Sequence, residues 1–161
     1  MRLIAAALTL LVIGACGVDE GQKANLALAA GLRLQAAGDL DGAAAQYEAA
    51  ILHDSSSKLA YYDLGLVWQL RSRPDDAELD YRRCLKVDAD YAPALYNLAL
   101  LRGQRDPTEA ELLYRHVIRL QPANAAAHYN LGLLLRQAGR TTEGDAELAT
   151  ARSINPALGR P

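Results

Sequence analysis

The sequence predicts an all-α solenoid of four helix-turn-helix repeats, and three observations support this fold class. First, Ala and Leu run through long stretches with few β-branched residues, and Phe is absent, which favours helices over strands. Second, the sequence resembles itself at intervals of about 34 residues, a period that fits one helix pair. Third, small residues recur at equivalent places, where two helices can approach closely. With 161 residues, 51% of them apolar, the chain has the size and composition of one small domain.

The first 15 residues, MRLIAAALTLLVIGA, have the three parts of a secretory signal. A single basic residue, Arg2, precedes an apolar run from Leu3 to Ile13, and the small pair Gly14-Ala15 follows. The apolar run is about half of the roughly 20 residues that a bilayer-spanning helix needs, so it is not expected to be a permanent anchor. We therefore expect residues 1–15 to be a signal peptide that directs export.

The residue after this segment, Cys16, indicates a lipoprotein. The sequence Ile13-Gly14-Ala15-Cys16 resembles the bacterial lipobox, in which an apolar residue and two small residues precede a cysteine that is acylated and becomes the new N-terminus. The resemblance implies lipidation of Cys16, with residues 16–23 as the acylated N-terminus and linker. Neither Gly17 nor Val18 is the acidic residue that retains some lipoproteins in the inner membrane. We therefore expect a membrane lipoprotein that faces the periplasm, on the outer membrane if the cell has two. An ordinary signal peptide with an incidental cysteine is the alternative.

The rest of the chain divides into four units of nearly equal length. They are residues 24–57, 58–91, 92–124 and 125–158, and residues 159–161 form a tail. The seventh and eighth places of the units hold an apolar residue followed by a small one: Ala30-Gly31, Leu64-Gly65, Leu98-Ala99 and Leu131-Gly132. A larger side chain in the eighth place would be expected to cost roughly 1 to 3 kcal/mol by overpacking.

The second half of each unit predicts another helix. Each unit has a small residue in its second half: Ala43, Ala77, Ala110 and Gly144. Four residues later comes a large side chain: Tyr47, Tyr81, Tyr114 and Leu148. Three residues after that comes a residue of small or moderate size: Ala50, Cys84, Val117 and Ala151. These spacings place the residues on one helix face. Turn signals separate the two helices of each unit: Gly38-Asp39, Arg73-Pro74, Asp106-Pro107 and Gly139-Arg140.

This pattern resembles the tetratricopeptide repeat (TPR) family, a helix-turn-helix unit of 34 residues that stacks into a right-handed superhelix. The resemblance covers residues 24–158, and Trp68 fits the family pattern. The first repeat has Ala27 and Leu34, and the third has Arg102, at places where aromatic residues are usual; the third repeat is also one residue shorter. These departures bear on the curvature of the superhelix rather than on the fold.

The last repeat differs from the others at the place where a following repeat would pack. That place in the second helix is Ile51, Leu85 and Ile118 in the first three repeats and Arg152 in the fourth. A charged residue tolerates water where an apolar one would need a neighbour. The sequence therefore predicts that the array ends with the fourth repeat, without a separate capping helix.

Motifs for catalysis are missing from the sequence, which has no phosphate-binding Gly-rich loop, no Gly-x-Ser-x-Gly elbow and no His-Glu-x-x-His helix. The histidines His53, His116 and His128 stand at different repeat places, and His128 is expected to be a packing residue. Cys84 takes a small core place and is expected to be an inert thiol. We predict a protein that is not an enzyme and has no cofactor, metal or small-molecule substrate. The formal charge of −2 argues against nucleic acid.

The resemblance also implies where a partner would bind. In this family the first helices line a concave groove, and the second, fifth, ninth and twelfth places usually face it. The fifth and ninth places form what we call the Leu/Tyr ladder: Leu28, Leu32, Tyr62, Leu66, Tyr96, Leu100, Tyr129 and Leu133. Gln35, Gln69 and Arg136 flank it. A contiguous exposed apolar patch usually marks a partner site. The alternatives are that the N-terminal linker covers the ladder or that the ladder broadens the core.

The chemistry of the groove argues against one known specificity of the family. Some TPR co-chaperones bind acidic C-terminal tails through Lys and Asn at defined groove places, where this chain has Leu28, Leu32 and Asp63. Asn97 and Asn130 could still hydrogen-bond to a peptide backbone. We expect the protein or peptide partner to present an apolar extended segment or the apolar face of an amphipathic helix.

These features together predict a lipid-anchored adaptor. Cys16 would hold the protein on a membrane, and the Leu/Tyr ladder would dock another protein, so that the adaptor assists assembly of a bacterial envelope complex. In architecture, such a protein resembles the pilotins of type IV pilus and secretin systems. A structural self-association module and a regulatory subunit of a cell-envelope enzyme complex are the alternatives.

Overall fold

The computed structural model describes residues 19–158, and within that range all regular structure is helical. The eight helices are α1 (Glu20–Ala36), α2 (Leu40–His53), α3 (Lys58–Leu70), α4 (Pro74–Val87), α5 (Ala92–Arg102), α6 (Pro107–Leu120), α7 (Ala125–Gln137) and α8 (Thr141–Ile154). The predicted signal peptide, Cys16 and the tail at residues 159–161 lie outside the described residues.

The helices pack in chain order. The main contacts join the two helices of each repeat, α1 with α2, α3 with α4, α5 with α6 and α7 with α8, and each second helix also packs on the first helix of the next repeat. Packing that is confined to neighbours along the chain defines a solenoid. The predicted all-α solenoid of four helix pairs is confirmed.

Helix α1 begins four residues before the first repeat as read from the sequence. The carboxylate of Asp19 caps it by accepting a hydrogen bond of 2.8 Å from the backbone N–H of Gln22. Glu20, in the first turn, adds a negative charge where the helix dipole favours one. Residues 20–23, which were expected to belong to the linker, are therefore helical.

Close approach of the two helices in a repeat depends on the small residue in the eighth place, as predicted. A Cβ atom on Gly31 would lie 2.5 Å from Cε1 of Tyr47, and one on Gly132 would lie 2.7 Å from Cγ of Leu148. Both distances are shorter than any van der Waals contact between carbon atoms. The glycines therefore allow the large side chains of the second helices to lie directly on the first helices.

Arg102 takes the place of an aromatic residue in α5 because neighbouring helices supply its counter-charges. Its Nη1 lies 3.3 Å from Oε2 of Glu78, and its Nη2 lies 3.2 Å from Oδ2 of Asp106. Its Nε lies 2.7 Å from Oε2 of Glu109, at an angle too bent for a hydrogen bond, so this contact is an ion pair only. The ion pairs replace the apolar packing that Trp68 provides at the same place in α3.

Candidate protein-binding groove

Two hydrogen bonds join successive first helices side by side. The side-chain amide of Asn97 in α5 donates to the hydroxyl of Tyr62 in α3 over 3.4 Å. The amide of Asn130 in α7 donates to the hydroxyl of Tyr96 in α5 over 2.8 Å. Each bond links the fifth place of one repeat to the sixth place of the next. The first helices therefore present the fifth and sixth places on a shared face, where sequence analysis expects the Leu/Tyr ladder.

The leucines in the ninth place are the most exposed part of the ladder. Leu32, Leu100 and Leu133 keep 49%, 44% and 38% of their surface exposed. Leu66 is half-buried and packs on the core between α4 and α5. Leu100 and Leu133 also line one open cavity of about 240 Å³, together with Asn130. The ninth place therefore exposes apolar surface in three of the four repeats.

The fifth place belongs more to the core than sequence analysis expects. Leu28 and Tyr62 are half-buried and pack on core clusters. The ring of Tyr62 meets that of Tyr91 edge-on at 5.3 Å, and the ring of Tyr96 meets that of Tyr114 at 6.0 Å. The tyrosines of the fifth place therefore pack on the core, whereas three leucines of the ninth place remain exposed. Tyr129, in the last repeat, is also half-buried.

Polar residues beside the ladder form hydrogen bonds or ion pairs with other residues of the chain. The Oε1 atom of Gln69 accepts a hydrogen bond from the hydroxyl of Tyr81. Arg136 is exposed, with Nη1 3.5 Å from Oδ1 of Asp145. The amide N–H groups of Asn97 and Asn130 donate to tyrosine hydroxyls, and Asn130 also lines the small open cavity. These side chains hold the face in shape, which the spacing of residues alone does not reveal.

Asp63 is the exception among the polar residues of this face. It is half-buried at the sixth place of α3, where the next two repeats have Asn97 and Asn130. Burial raises its pKa to about 6. In the sequence alone, Asp63 indicates only that an acidic tail is an unsuitable ligand. The sequence does contain a signal: among the sixth places of the four repeats, only Asp63 is charged.

A larger cavity of about 560 Å³ lies among α2, α3 and α4, and sequence analysis did not identify it. Its main aromatic residue is Trp68, whose Nε1 donates to Oδ2 of Asp80 over 2.9 Å. The guanidinium of Arg73 lies 4.4 Å from the centre of the indole ring and also pairs with Asp76 at 2.7 Å. These groups satisfy one another, so the cavity has no evident need for a ligand.

The three histidines and Cys84 are each accounted for by local contacts. His128 is buried, with Nδ1 2.6 Å from Oε2 of Glu147 and Nε2 3.0 Å from the carbonyl oxygen of Pro122. His53 and His116 lie against Glu20 and Asp90 respectively. Burial raises the pKa of the Cys84 thiol to about 12, which makes it unreactive.

Residues 19–158 contain no group of three or more His, Cys, Asp or Glu side chains arranged to hold a metal ion. Within the same range, no helix has both the length and the hydropathy that crossing a bilayer requires.

Comparison with known families decides the nature of the repeats. A sequence profile of the tetratricopeptide repeat matches residues 28–93 and 100–155, which is most of the chain. The chain belongs to the tetratricopeptide repeat family. The family expected from the sequence is therefore confirmed. No curated protein matches this TPR protein.

Solved structures of other TPR proteins share the fold. A crystal structure of MamA is 22% identical over 83% of this chain and 78% of its own, with a TM-score of 0.77. The pilF protein of Pseudomonas aeruginosa is 23% identical over 85% of this chain and 63% of its own, with a TM-score of 0.73. The first TPR of Spaghetti (RPAP3), bound to the HSP90 peptide SRMEEVD, is 20% identical over 76% of this chain and 98% of its own, with a TM-score of 0.71. At these identities the likeness concerns the fold alone.

Proposed function

We propose that this TPR protein is a lipid-anchored adaptor that docks another protein on the Leu/Tyr ladder. The observation that carries the proposal is the exposure of Leu32, Leu100 and Leu133 at equivalent places of three first helices. Leucines that recur in register on one face form an apolar strip rather than scattered surface residues. An extended segment or an amphipathic helix of a partner would cover such a strip.

The comparisons support a binding role at the level of the fold. One TPR of similar structure is held with an HSP90 peptide, so the fold accommodates a peptide ligand in that protein. The present chain has Leu28, Leu32 and Asp63 where an acidic tail would need Lys and Asn. Its partner therefore differs in chemistry from the acidic peptide SRMEEVD. An adaptor of this kind assists assembly of an envelope complex without catalysing a reaction.

The lipid on Cys16 would keep the ladder close to the membrane. Because α1 begins at Glu20, only residues 17–19 separate Cys16 from the first helix. Three residues span about 10 Å at most. Several acyl chains, at about 0.8 kcal/mol per buried CH₂, hold a protein firmly on a bilayer. A partner would therefore meet the groove at the membrane surface.

Labelling with radioactive palmitate in a bacterium with two membranes tests the anchor. The unaltered protein should be labelled and should sediment with membranes, whereas Cys16→Ser should lose the label and leave the membrane fraction. Cys84→Ala is the matched control, since Ala50 and Ala151 occupy the same repeat place, and it should keep the label. Label on the Cys16→Ser protein, or none on the unaltered protein, would refute the anchor.

Crosslinking in cells followed by purification of the tagged protein tests the groove. Leu100→Glu with Leu133→Glu should lose the partner, because two charges would enter the apolar strip. Leu112→Glu is the control: Leu112 is 64% exposed on α6, a second helix. Circular dichroism should show that each variant is folded. Equal recovery of the partner with all variants would reject the ladder as the docking surface.

Light scattering separates the adaptor from the self-association alternative, because an exposed ladder could also pack against a second copy. The adaptor predicts a monomer at all concentrations of the purified protein without its lipid. A mass that rises with concentration, and that Leu100→Glu with Leu133→Glu returns to that of a monomer, would instead favour self-association.

A further inference from the structure

The sixth place of the first helices is a junction between repeats. In the third and fourth repeats an asparagine there donates to the tyrosine in the fifth place of the preceding repeat, Asn97 to Tyr62 and Asn130 to Tyr96. In the second repeat both members of the pair are changed. The sixth place is Asp63, and the fifth place of the preceding repeat is Leu28, which has no polar group.

The hydroxyl groups of Tyr47 and Tyr81, on which the charge of Asp63 acts, do not donate to its carboxylate. The hydroxyl of Tyr47 donates to Oε1 of Gln35 over 2.7 Å, and the hydroxyl of Tyr81 donates to Oε1 of Gln69. Across residues 19–158, Asp63 has neither a hydrogen bond to its carboxylate nor an ion pair, and burial alone accounts for the raised pKa. A half-buried carboxylate thus stands at the junction without a donor.

An unpaired carboxylate in a partly apolar setting destabilises the folded protein, because the group loses water without gaining a partner. Asparagine at the same place, as in the next two repeats, would avoid the negative charge. The carboxylate therefore keeps unused capacity to accept hydrogen bonds at the junction, which a group from another molecule can fill. A cation is the group that a carboxylate binds most strongly.

We propose that the partner segment carries a Lys or Arg side chain that pairs with Asp63, flanked by apolar side chains that lie on the Leu/Tyr ladder. This inference rests on the proposed function and adds the chemistry of the partner to it. Asp63 fixes where along the segment the cation must be. The ladder supplies apolar contact area, and the ion pair supplies register and specificity.

The chain's own N-terminus does not fit this role. Residues 16–19, which would precede α1 after cleavage of the signal, are Cys-Gly-Val-Asp and contain no Lys or Arg. Lys23, the first basic residue after them, lies in α1 and pairs with Glu20 at 2.6 Å. The N-terminal segment of this chain therefore supplies no cation for Asp63.

Selection from a phage library of random twelve-residue peptides tests the inference. The baits are the unaltered protein and Asp63→Asn, which copies the asparagine of the third and fourth repeats and is expected to fold. A third bait, Asp63→Lys, reverses the charge at the same place. Glu48→Gln is the matched control, because it removes one exposed charge from α2 beside the other cavity. Circular dichroism checks that all baits are folded.

We expect the unaltered protein and Glu48→Gln to select peptides with one Lys or Arg among apolar residues. A synthetic peptide of this kind should bind Asp63→Asn about tenfold more weakly, and Asp63→Lys should select acidic peptides. Peptides that bind the ladder, as shown by loss on Leu100→Glu with Leu133→Glu, yet have no basic residue in common, would overturn this inference and leave the adaptor intact. If no peptide depended on the ladder, the proposed function would fail and the inference with it.

Discussion

Asn130 donates its side-chain amide to the hydroxyl of Tyr96 over 2.8 Å, which joins the first helix of the fourth repeat to that of the third. In a solenoid, stability depends on such contacts between neighbouring repeats. The bond also holds the ring of Tyr96, which packs on the core and meets the ring of Tyr114 at 6.0 Å. One pair of residues thus serves both the stacking of repeats and the shape of the candidate site.

Replacement Tyr96→Phe is expected to lower the free energy of unfolding by about 0.5 to 1.5 kcal/mol, since the amide of Asn130 loses its partner. Urea denaturation followed by circular dichroism measures the change. Tyr129→Phe is the control, because the Tyr129 hydroxyl has no hydrogen-bond partner among residues 19–158. Equal stability losses in the two variants would mean that the bond between repeats contributes nothing.

Replacement Gly65→Ala is expected to lower the free energy of unfolding by about 1 to 3 kcal/mol. The new Cβ would lie 2.6 Å from Cε1 of the buried Tyr81 ring, which cannot move without disturbing α4. Gly103→Ala is the matched control: its Cβ would meet nothing closer than 3.5 Å and its φ of −49° suits alanine. A Gly65→Ala protein as stable as the control would contradict the close approach.

Spacing along the sequence is sufficient to predict the four helix pairs. Gly31 packs against Tyr47, and Gly65 packs against Tyr81. Both partners of each contact belong to one repeat, so their spacing recurs in the sequence and predicts the helix pair. The start of α1 was missed although Asp19 and Gln22 carry a capping signature three residues apart. That signature lies before the first repeat, where the period gives no guidance.

Contacts between repeats were much harder to predict. The bonds of Asn97 and Asn130 depend on how successive first helices line up, and the spacing within one repeat does not contain that information. The same holds for Arg102, whose partners Glu78 and Glu109 belong to two other helices. The burial of Asp63 depends on neighbours from other helices, which spacing along the sequence does not specify.

Replacement Arg102→Met is expected to cost about 1 to 3 kcal/mol of stability. It leaves Glu78 and Glu109, which are 17% and 27% exposed at their side chains, with Arg82 as their remaining counter-charge in this group. Arg105→Met is the control and should change stability by less than about 1 kcal/mol, because the Arg105–Asp75 pair is exposed. Similar urea midpoints for the two variants would show that the Arg102 ion pairs have no more effect than a surface pair.

The free protein should respond to pH through Asp63. Its pKa of about 6 in the folded state lies above the value of about 3.9 for an aspartate in an unfolded chain, so the folded state binds the proton more tightly. The titratable groups whose charges act with that of Asp63 are Tyr47, Tyr62, Tyr81, Cys84 and Tyr91. Burial raises the pKa of each, so all of them stay neutral between pH 4 and 8.

The contribution of Asp63 to stability is therefore present below about pH 4 and is lost as the pH rises through 6. The Asp63→Asn variant lacks this pH-dependent contribution to stability. Its stability relative to the unaltered protein should increase between pH 4.5 and pH 7.5, as measured by urea denaturation at both values. Lowered pKa values at Glu20, Asp88 and Glu111 act in the opposite direction, but they are common to both proteins and cancel in the difference. A difference that does not change with pH would contradict the burial of Asp63.

Photo-crosslinking in cells tests the central claim, that the Leu/Tyr ladder docks a partner protein, most directly. A benzophenone amino acid would replace Leu100 on the ladder or Leu112 on α6, both of which are exposed. The account predicts one discrete crosslinked product from position 100, its loss when Leu133→Glu is added, and none from position 112. No product from position 100, or the same product from both positions, would contradict it.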